Sequence, residues 1–408
     1  MSGHSPEHIT GGASAGDAHL FRGRPLRVLH GTYEIAGQGM MLARALREVG
    51  VEADSLAYRV DWDGRKPDLV VDLDRHRTPV GRMWSMGTSF LRLAARYDLF
   101  HFHFGTSFFY VAPRERAQLI RGHWDLPLLK SMGKRIVFHF HGCEIRNREH
   151  MLASHALATC TECDPFCRPW HQQWLRGQAA RHADRVFYST LDLAESAPGA
   201  VHLPLVIEVE RWSRAAAAYP LPDADRRDGV NGPVVIAHAP TNRLIKGTRH
   251  VEAAVAELRA EGLKVELRMI EKQPWVTMPE FLSGADILVD QLMMGWYGLL
   301  AMEGMAEGKA VVAHLRVDFA GRLQGCPVVD ATPDSVTDVL RELVRNPARR
   351  ALLGAAGRRY VAQHHDLRAV GARLLTEYRR VLDPSGSPAP SAAAHGAGAG
   401  SHRGAPSE

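Results

Sequence analysis

The stretch Asp290–His314, DQLMMGWYGLLAMEGMAEGKAVVAH, joins the end of one apolar run to the start of another through a segment with helical spacing. The flanking runs DILVD and AVVAHL are typical of buried strands, and the segment between them, GLLAMEGMAEG, ends in a glycine C-cap. A strand, a helix and a second strand in this order predict one unit of a parallel sheet. A carboxylate, Glu303, lies in the middle of this apolar helix, where a helix with only a packing role would carry none, and a second, Glu307, lies at its end.

The same alternation extends along the chain in both directions from this stretch. Five strand-like runs occupy the first half of the chain: LRVLHGT, VEADSLAY, DLFHFHFG, RIVFHFHG and RVFYST. In the second half, VVIAHAP, KVELRMIE, DILVDQ and AVVAHL repeat the pattern, with helical segments between them. Strands that alternate with helices indicate parallel sheets covered on both faces. We therefore predict an α/β protein with two doubly wound, Rossmann-like domains facing a cleft, in which ligands bind outside the carboxyl ends of the strands.

The alternation breaks once, in the polar stretch SRAAAAYPLPDADRRDGVNGP, which predicts an interdomain linker. Both ends of the chain are poor in large apolar residues, so we predict that they are disordered. The predicted units are a tail at 1–24, a first domain at 25–207, a linker at 208–232, a second domain at 233–365, a C-terminal helix at 366–383 and a tail at 384–408. The C-terminal helix either completes the second domain or crosses back to the first.

Length and charge limit the class of protein. A chain of 408 residues exceeds the usual size of one hydrophobic core, which favours two domains. A net charge of +5 suits anionic small substrates or an anionic membrane surface, but over this length it does not indicate a nucleic-acid partner. No apolar run is long enough to span a membrane, the first residues lack a secretory pattern, and five cysteines argue against a full disulfide framework. We expect a cytoplasmic protein, and the Ala/Arg/Gly-rich composition suggests a bacterial gene.

The segment GRMWSMGTSFLRLAARY combines three arginines with Trp84 and Phe90. This pattern is compatible with an amphipathic helix that makes peripheral contact with a membrane. The alternative, which we favour, is an ordinary helix that covers the first sheet.

Three segments of the second half resemble a known family. HAPTNRLIKGT (His238–Thr248), DILVDQ and GWYGLLAMEGMAEGKAVVA resemble the donor domain of GT-B retaining glycosyltransferases, in particular family 4. The resemblance implies a hexosyl-type enzyme that moves a sugar from a nucleotide diphosphate sugar to an acceptor hydroxyl with retention of anomeric configuration. It also implies an acceptor-side first domain, a donor-binding second domain, and no cofactor or divalent metal for catalysis. We expect a role in the biosynthesis of a glycan or of a glycosylated small metabolite, and the composition fits both equally.

The resemblance assigns roles at the donor site. Arg243 and Lys246 are implied to bind the diphosphate, and the alternative is a solvated basic loop. Gly298 and Leu299 open a helix whose N-terminus offers free N–H groups and partial positive charge to a phosphate. Glu303, one turn further, is implied to accept hydrogen bonds from the ribose hydroxyls, each worth roughly 1.5–3 kcal/mol. The alternative for Glu303 is an internal ion pair.

One glutamate of the family motif is missing. The motif has two glutamates, Glu303 matches the second, and Gly295 stands where the first would be. In the family the first glutamate helps to hold the hydroxyls of the donor sugar. Our hypothesis is that Asp290, at the end of DILVD, replaces it together with Gln291. The alternative is that Asp290 caps the following turn.

Histidines mark two strands of the first domain. His141 ends RIVFHFHG, and the resemblance implies that it contacts the donor sugar; the alternative is a buried histidine satisfied by its neighbours. His139 shares its strand face, and His101 with His103 repeats the spacing. Two such pairs suggest metal ligation, but strand alternation alone produces this spacing. Metal ligation is therefore not our preferred interpretation.

The first turn, GTYEIAGQG, contains Gly37 and Gly39 directly before a helix. In the family this turn admits donor phosphate or acceptor, so the resemblance implies that both glycines line the donor site. A single Gly-x-Gly is a weak signal by itself.

Four cysteines cluster in sequence. Cys160, Cys163 and Cys167 form C-x2-C-x3-C, and Cys143 precedes them. Four thiolates complete a tetrahedral zinc site, which would be structural because it leaves no open position. The alternative is a set of reduced cysteines in a loop.

Two other functions fit the same fold. One is a nucleotide-sugar epimerase or a phosphorylase, which product analysis separates from a transferase. The other is a catalytically degenerate scaffold that binds nucleotide without turnover, an interpretation that the missing glutamate at Gly295 favours.

Overall fold

The computed structural model describes residues 20–59, 64–110, 122–162, 167–218 and 227–383. Ordered structure begins before residue 25, because β1 (Leu20–Phe21) pairs with β2 (Arg24–Pro25) in a short antiparallel hairpin. The rest of the predicted N-terminal tail and the whole of the predicted C-terminal tail lie outside the described residues.

The first sheet has seven parallel strands. They are β3 (Arg27–Gly31), β4 (Glu52–Ala57), β5 (Leu69–Val70), β6 (Leu99–His103), β7 (Arg135–Phe140), β8 (Arg185–Tyr188) and β9 (Val201–His202), in the order β5-β4-β3-β6-β7-β8-β9. The helices of this half are α1 (Gln38–Glu48), α2 (Pro79–Arg96), α3 (Asp125–Ser131), α4 (Arg148–Ser154) and α5 (Pro169–His182), with 3₁₀ turns at Leu73–Arg75, Thr159–Glu162 and Leu191–Ser196. The strand order reverses between β3 and β6, and this switch point is where such sheets open a crevice for ligands.

The second sheet has five parallel strands. They are β10 (Val234–His238), β11 (Val265–Met269), β12 (Ile287–Val289), β13 (Ala310–Ala313) and β14 (Val329–Asp330), in the order β11-β10-β12-β13-β14. The helices are α6 (Val209–Ala218), α7 (Arg243–Lys246), α8 (Thr248–Ala260), α9 (Met278–Ser283), α10 (Leu299–Glu307), α11 (Val336–Arg345), α12 (Pro347–His364) and α13 (Leu367–Leu382), with 3₁₀ turns at Trp275–Thr277 and Val317–Arg322. The order reverses between β10 and β12. The predicted α/β architecture with two doubly wound sheets is confirmed.

Two connecting segments differ from simple linkers. The predicted linker, residues 208–232, contains α6, because its alanine-rich sequence favours a helix and its buried Trp212 packs inward. The last helix, α13, lies along α1 of the first domain, where Gly371 permits close approach to the carbonyl oxygen of Ala45. The chain therefore crosses between the two halves twice.

The helix α2 covers the first sheet with one face. Met86, Phe90, Leu93 and Ala94 are buried, whereas Trp84 is exposed. No helix of the described residues combines the length and apolar character that a membrane span requires.

Candidate active site

A lysine–aspartate pair lies at the carboxyl edge of the second sheet. Asp290 directly follows β12, and Lys246 is the last residue of α7, which follows β10. The Lys246 Nζ lies 2.7 Å from Asp290 Oδ1 and 2.7 Å from Gln291 Oε1. The Asp290 side chain is fully buried and that of Lys246 is 13% exposed, so the pair is largely withdrawn from solvent. The fold thus places Lys246, Asp290 and Gln291 together at the topological switch point.

Local sequence positions Lys246. Asn242 caps α7, because its Oδ1 accepts hydrogen bonds from the backbone N–H groups of Leu244 (3.0 Å) and Ile245 (3.2 Å). Gly247 ends the helix with φ of 74°, a left-handed conformation that glycine adopts without strain. The short helix therefore presents its last side chain toward β12.

The N-terminus of α10 meets the same carboxylate. The backbone N–H of Gly298 donates to Asp290 Oδ2 over 2.6 Å. A Cβ atom on Gly298 would lie 3.0 Å from that oxygen and 3.5 Å from Lys246 Nζ, so glycine permits the close approach. Leu299 is the first residue of the helix and borders the interdomain recess. Both oxygens of Asp290 are thus engaged, which corresponds to the capping role that the sequence left as the alternative.

Glu303 faces the space between the two halves. It lines a small recess together with Gln38 and Ile207 on the side of the first domain and Leu299 on the other. The Trp275 Nε1–H donates to Glu303 Oε1 over 3.1 Å. Burial raises the pKa of Glu303 to about 7, although Arg65, the Trp275 hydrogen bond and Arg211 oppose that rise.

Two arginines flank the Glu303 recess. The guanidinium carbon of Arg211 lies 3.4 Å from the centroid of the Trp275 ring, and that of Arg65 lies 4.8 Å from it. Arg65 also borders the recess itself. An anionic ligand entering this space would meet positive charge from both halves of the protein. The sequence did not single out Trp275, Arg65 or Arg211, because each lies in an irregular segment or on an ordinary helix with no local motif.

Arg243 is not part of the Lys246 group. It begins α7, and its exposed guanidinium pairs with Glu252 and with Glu271, the latter at 3.2 Å. These carboxylates raise its pKa further. The predicted role of Arg243 as a diphosphate ligand would require it to exchange these partners.

An arginine fills the place of the missing glutamate. A Cβ atom on Gly295 would lie 2.3 Å from both Cγ and Cδ of Arg316, so no side chain fits there. The Arg316 guanidinium bonds Asp318 and reaches across to Glu195 of the first domain. The absence of the motif glutamate is therefore coupled to an ion pair between the two halves.

The first turn is occupied by side chains of this chain. The Glu34 carboxylate accepts hydrogen bonds from the N–H groups of Gly39 (2.9 Å) and Met40 (3.0 Å), which is the position an anion would take at the start of α1. Gly37 has φ of 78°, and a Cβ atom there would lie 2.7 Å from Arg65 Cδ. Both predicted glycines thus border charged side chains.

His141 directly follows β7 and belongs to a group of histidines. Its Nε2 lies 2.9 Å from His103 Nδ1, and its backbone N–H donates to Glu144. Burial, followed by His103, lowers the pKa of His141 well below its usual value. It is partly exposed, and its role as a sugar contact stays a prediction.

The described cysteines of the cluster lie near two side chains, Gln172 and Arg146. Gln172 Nε2 donates to the backbone oxygen of Cys143 (2.7 Å) and contacts Cys167 Sγ (3.6 Å). Cys143 and Cys160 both act on the charge of Arg146, which is buried nearby. The fourth predicted ligand, Cys163, lies outside the described residues. A structural zinc site stays a prediction.

The architecture matches known structures over most of the chain. Sucrose-phosphate synthase from Thermosynechococcus elongatus superposes with a TM-score of 0.58 at 16% identity, covering 89% of this chain and 100% of that one. The fold is GT-B. HepE from Anabaena, in complex with UDP-glucose, shares this GT-B fold with a TM-score of 0.56 at 13% identity, covering 87% of this chain and 99% of that one. No family model and no curated protein sequence matches the chain.

Proposed function

We propose that the protein is a glycosyltransferase that moves a sugar from a nucleotide diphosphate sugar to an acceptor hydroxyl with retention of anomeric configuration. One observation carries the proposal: the Lys246 ammonium and the Gly298 N–H at the start of α10 both contact Asp290, and Glu303 on the same helix lines the recess between the two halves. The UDP-glucose complex of HepE, which has the same fold, supports a nucleotide-sugar donor.

Lys246 and the start of α10 would act on the diphosphate. Negative charge grows on the leaving diphosphate as the glycosidic bond breaks, and preorganised positive groups at that place lower the barrier most. Asp290 and Gln291 hold the Lys246 ammonium in position, so its charge requires no reorganisation during the reaction. In this proposal Asp290 is a positioning residue rather than a direct sugar contact.

Glu303 would hold the nucleoside. Its carboxylate faces the recess and already accepts one hydrogen bond, from Trp275, which leaves capacity for the two vicinal hydroxyls of a ribose. Hydrogen bonds from the ribose favour the ionised form of Glu303, as does the positive charge of Arg65 and Arg211. Donor binding and ionisation of Glu303 would therefore assist each other.

Retention would follow without a protein nucleophile. Both oxygens of Asp290 accept hydrogen bonds from Lys246 and Gly298, an arrangement that does not direct either oxygen at a sugar carbon. We propose reaction on one face of the sugar, with the departing phosphate taking the proton of the acceptor hydroxyl. The protein then contributes orientation and charge stabilisation.

The test combines binding with product analysis. Calorimetry with UDP, GDP and ADP should identify one nucleotide, and NMR of the product from its sugar conjugate should give the anomer of the donor. Glu303→Gln should strongly weaken the binding of that nucleotide. Glu307→Gln is the matched control, because Glu307 is buried on the same helix but does not border the recess. Equal affinity in both variants would refute the ribose assignment.

A second candidate, a scaffold that binds nucleotide without turnover, is favoured by one observation. Arg316 occupies the space in which the motif glutamate would hold the donor sugar. The test is to incubate the protein with UDP-, GDP- and ADP-sugars. If it binds a nucleotide but neither transfers nor hydrolyses any of these sugars, the result supports the scaffold over the enzyme.

A further inference from the structure

Five histidines, four on three neighbouring strands and one directly after β7, lie along one face of the first sheet. His30 of β3 is the register partner of His101 of β6, and His103 of β6 is the register partner of His139 of β7. Because side chains alternate along a strand, His103 and His141 follow His101 and His139 on the same face. Four of these rings are buried to 1% exposure or less, and His141 lies at the partly exposed end.

The nitrogen atoms of this group are unevenly satisfied. His103 bonds on both sides, with its Nε2 3.1 Å from His30 Nδ1 and its Nδ1 2.9 Å from His141 Nε2. In contrast, neither ring nitrogen of His139 and not the Nδ1 of His141 has a hydrogen-bond partner among the described residues. A buried polar atom without a partner is costly, so these nitrogens need a partner, such as an ion or an ordered water, that the side chains around them do not supply.

We propose that His103, His139 and His141 bind a divalent transition-metal ion through their imidazole nitrogens. One ligand atom from each ring lies within 4.8 Å of the other two. Tetrahedral zinc with bonds of about 2.0–2.1 Å needs nitrogens about 3.4 Å apart, compared with at most 4.8 Å between the ligand atoms of this group. Imidazole nitrogen suits zinc, copper, nickel and cobalt.

The surroundings suit such an ion. Neutral imidazole is the form that ligates, and the burial of His103 and His139 disfavours their charged form. His30 would keep its hydrogen bond to His103 Nε2 and fix the tautomer of that ring.

Two other groups of side chains are weaker candidates. In the trio His30, His101 and His103, the Nδ1 of His101 is bonded to Tyr378 Oη over 2.6 Å, and no member is exposed. In the trio His150, His155 and Glu195, the Glu195 carboxylate is already paired with Arg316, whose positive charge opposes a cation. The partly exposed His141 gives the group His103, His139 and His141 an entrance, which the buried trio His30, His101 and His103 lacks.

The test uses the full chain after treatment with a chelator. Titration with Zn²⁺ should show an ion that raises the melting temperature, and Co²⁺ should give ligand-field bands of nitrogen coordination without a thiolate charge-transfer band. His139→Phe should bind one ion fewer per chain and lose the Zn²⁺-induced rise. The melting temperature of its metal-free form should not fall, because the His139 nitrogens make no hydrogen bond that phenylalanine would remove.

Two further variants keep the result decisive. His141→Gln, at the partly exposed end, should lose the same ion even if His139→Phe fails to fold. The double variant His150→Ala/His155→Ala is the matched control and should bind as the wild type does. The proposal is overturned if the wild type binds no ion apart from one with a thiolate band, or if His141→Gln retains full stoichiometry.

Discussion

The Lys246 ammonium and the Asp290 carboxylate lie 2.7 Å apart, although 44 positions separate them in the sequence. The second oxygen of Asp290 accepts the Gly298 N–H, so one carboxylate joins the end of α7 to the start of α10. Both elements that would face a diphosphate are thus fixed by the same buried residue.

Asp290→Asn should therefore destabilise the folded protein and also impair sugar transfer. Removal of one partner of a buried pair leaves an uncompensated charge and typically costs about 3–5 kcal/mol. Urea denaturation of the variant should show this loss. A second variant, Asp290→Leu with Lys246→Met, removes both charges and should recover much of the stability. Wild-type stability in Asp290→Asn would contradict the pairing.

Lys246→Ala should lower kcat of sugar transfer by about 10²–10³, because removal of one preorganised group that stabilises developing charge costs that much in other enzymes. Arg243→Ala is the control, and a smaller loss is expected because Arg243 is exposed and already paired with Glu252 and Glu271. Steady-state kinetics of both variants measures the two losses. An effect of Lys246→Ala on KM alone would indicate uniform binding instead.

Glu303 should make stability depend on pH. Its pKa is raised from 4.5 to about 7, so the folded protein holds the proton that the unfolded chain releases. Stability from this group is complete below pH 4.5 and falls as the pH rises to about 7. The free energy of unfolding should differ by on the order of 3 kcal/mol across this pH range, because each unit of pKa shift corresponds to about 1.4 kcal/mol. Denaturation series of wild type and Glu303→Gln should differ by this slope. Parallel curves would show that Glu303 titrates normally.

Gly295→Ala should destabilise the protein by about 1–3 kcal/mol, the usual cost of overpacking. The new Cβ would meet the stem of Arg316 close to its backbone, where the side chain cannot easily move. Combining Gly295→Ala with Arg316→Ala should remove the clash, and thermal denaturation of the single and double variants measures the coupling. An unchanged melting temperature in Gly295→Ala would mean that the Arg316 side chain moves aside without a cost in stability.

The cysteine cluster predicts about one zinc ion per chain in addition to any ion held by histidines, since four thiolates fill a tetrahedral site. Elemental analysis of the purified protein, and of a Cys143→Ser/Cys167→Ser variant, measures it. The variant should lose this zinc and the thiolate band of its cobalt form. If all thiols of the untreated wild type titrate fully, the prediction of a zinc site is wrong.

The sequence by itself determined the two sheets, because the alternation of strand and helix is a local property with a fixed period. It also placed Glu303 inside α10 and glycine at its entrance, since both follow from helix boundaries. Even so, the helix α6 inside the predicted linker was missed, because its short amphipathic pattern is dominated by the prolines that follow it.

Only the tertiary structure decided which side chains meet. Trp275 reaches Glu303 across 28 positions, and Arg316 reaches Glu195 across 121. The free nitrogens of His139 likewise depend on how three strands align. Such contacts depend on side-chain direction and on the packing of distant elements, which no local period encodes. The sequence therefore indicated a cleft, whereas tertiary packing paired Asp290 with Lys246 and put Arg316 where a glutamate was expected.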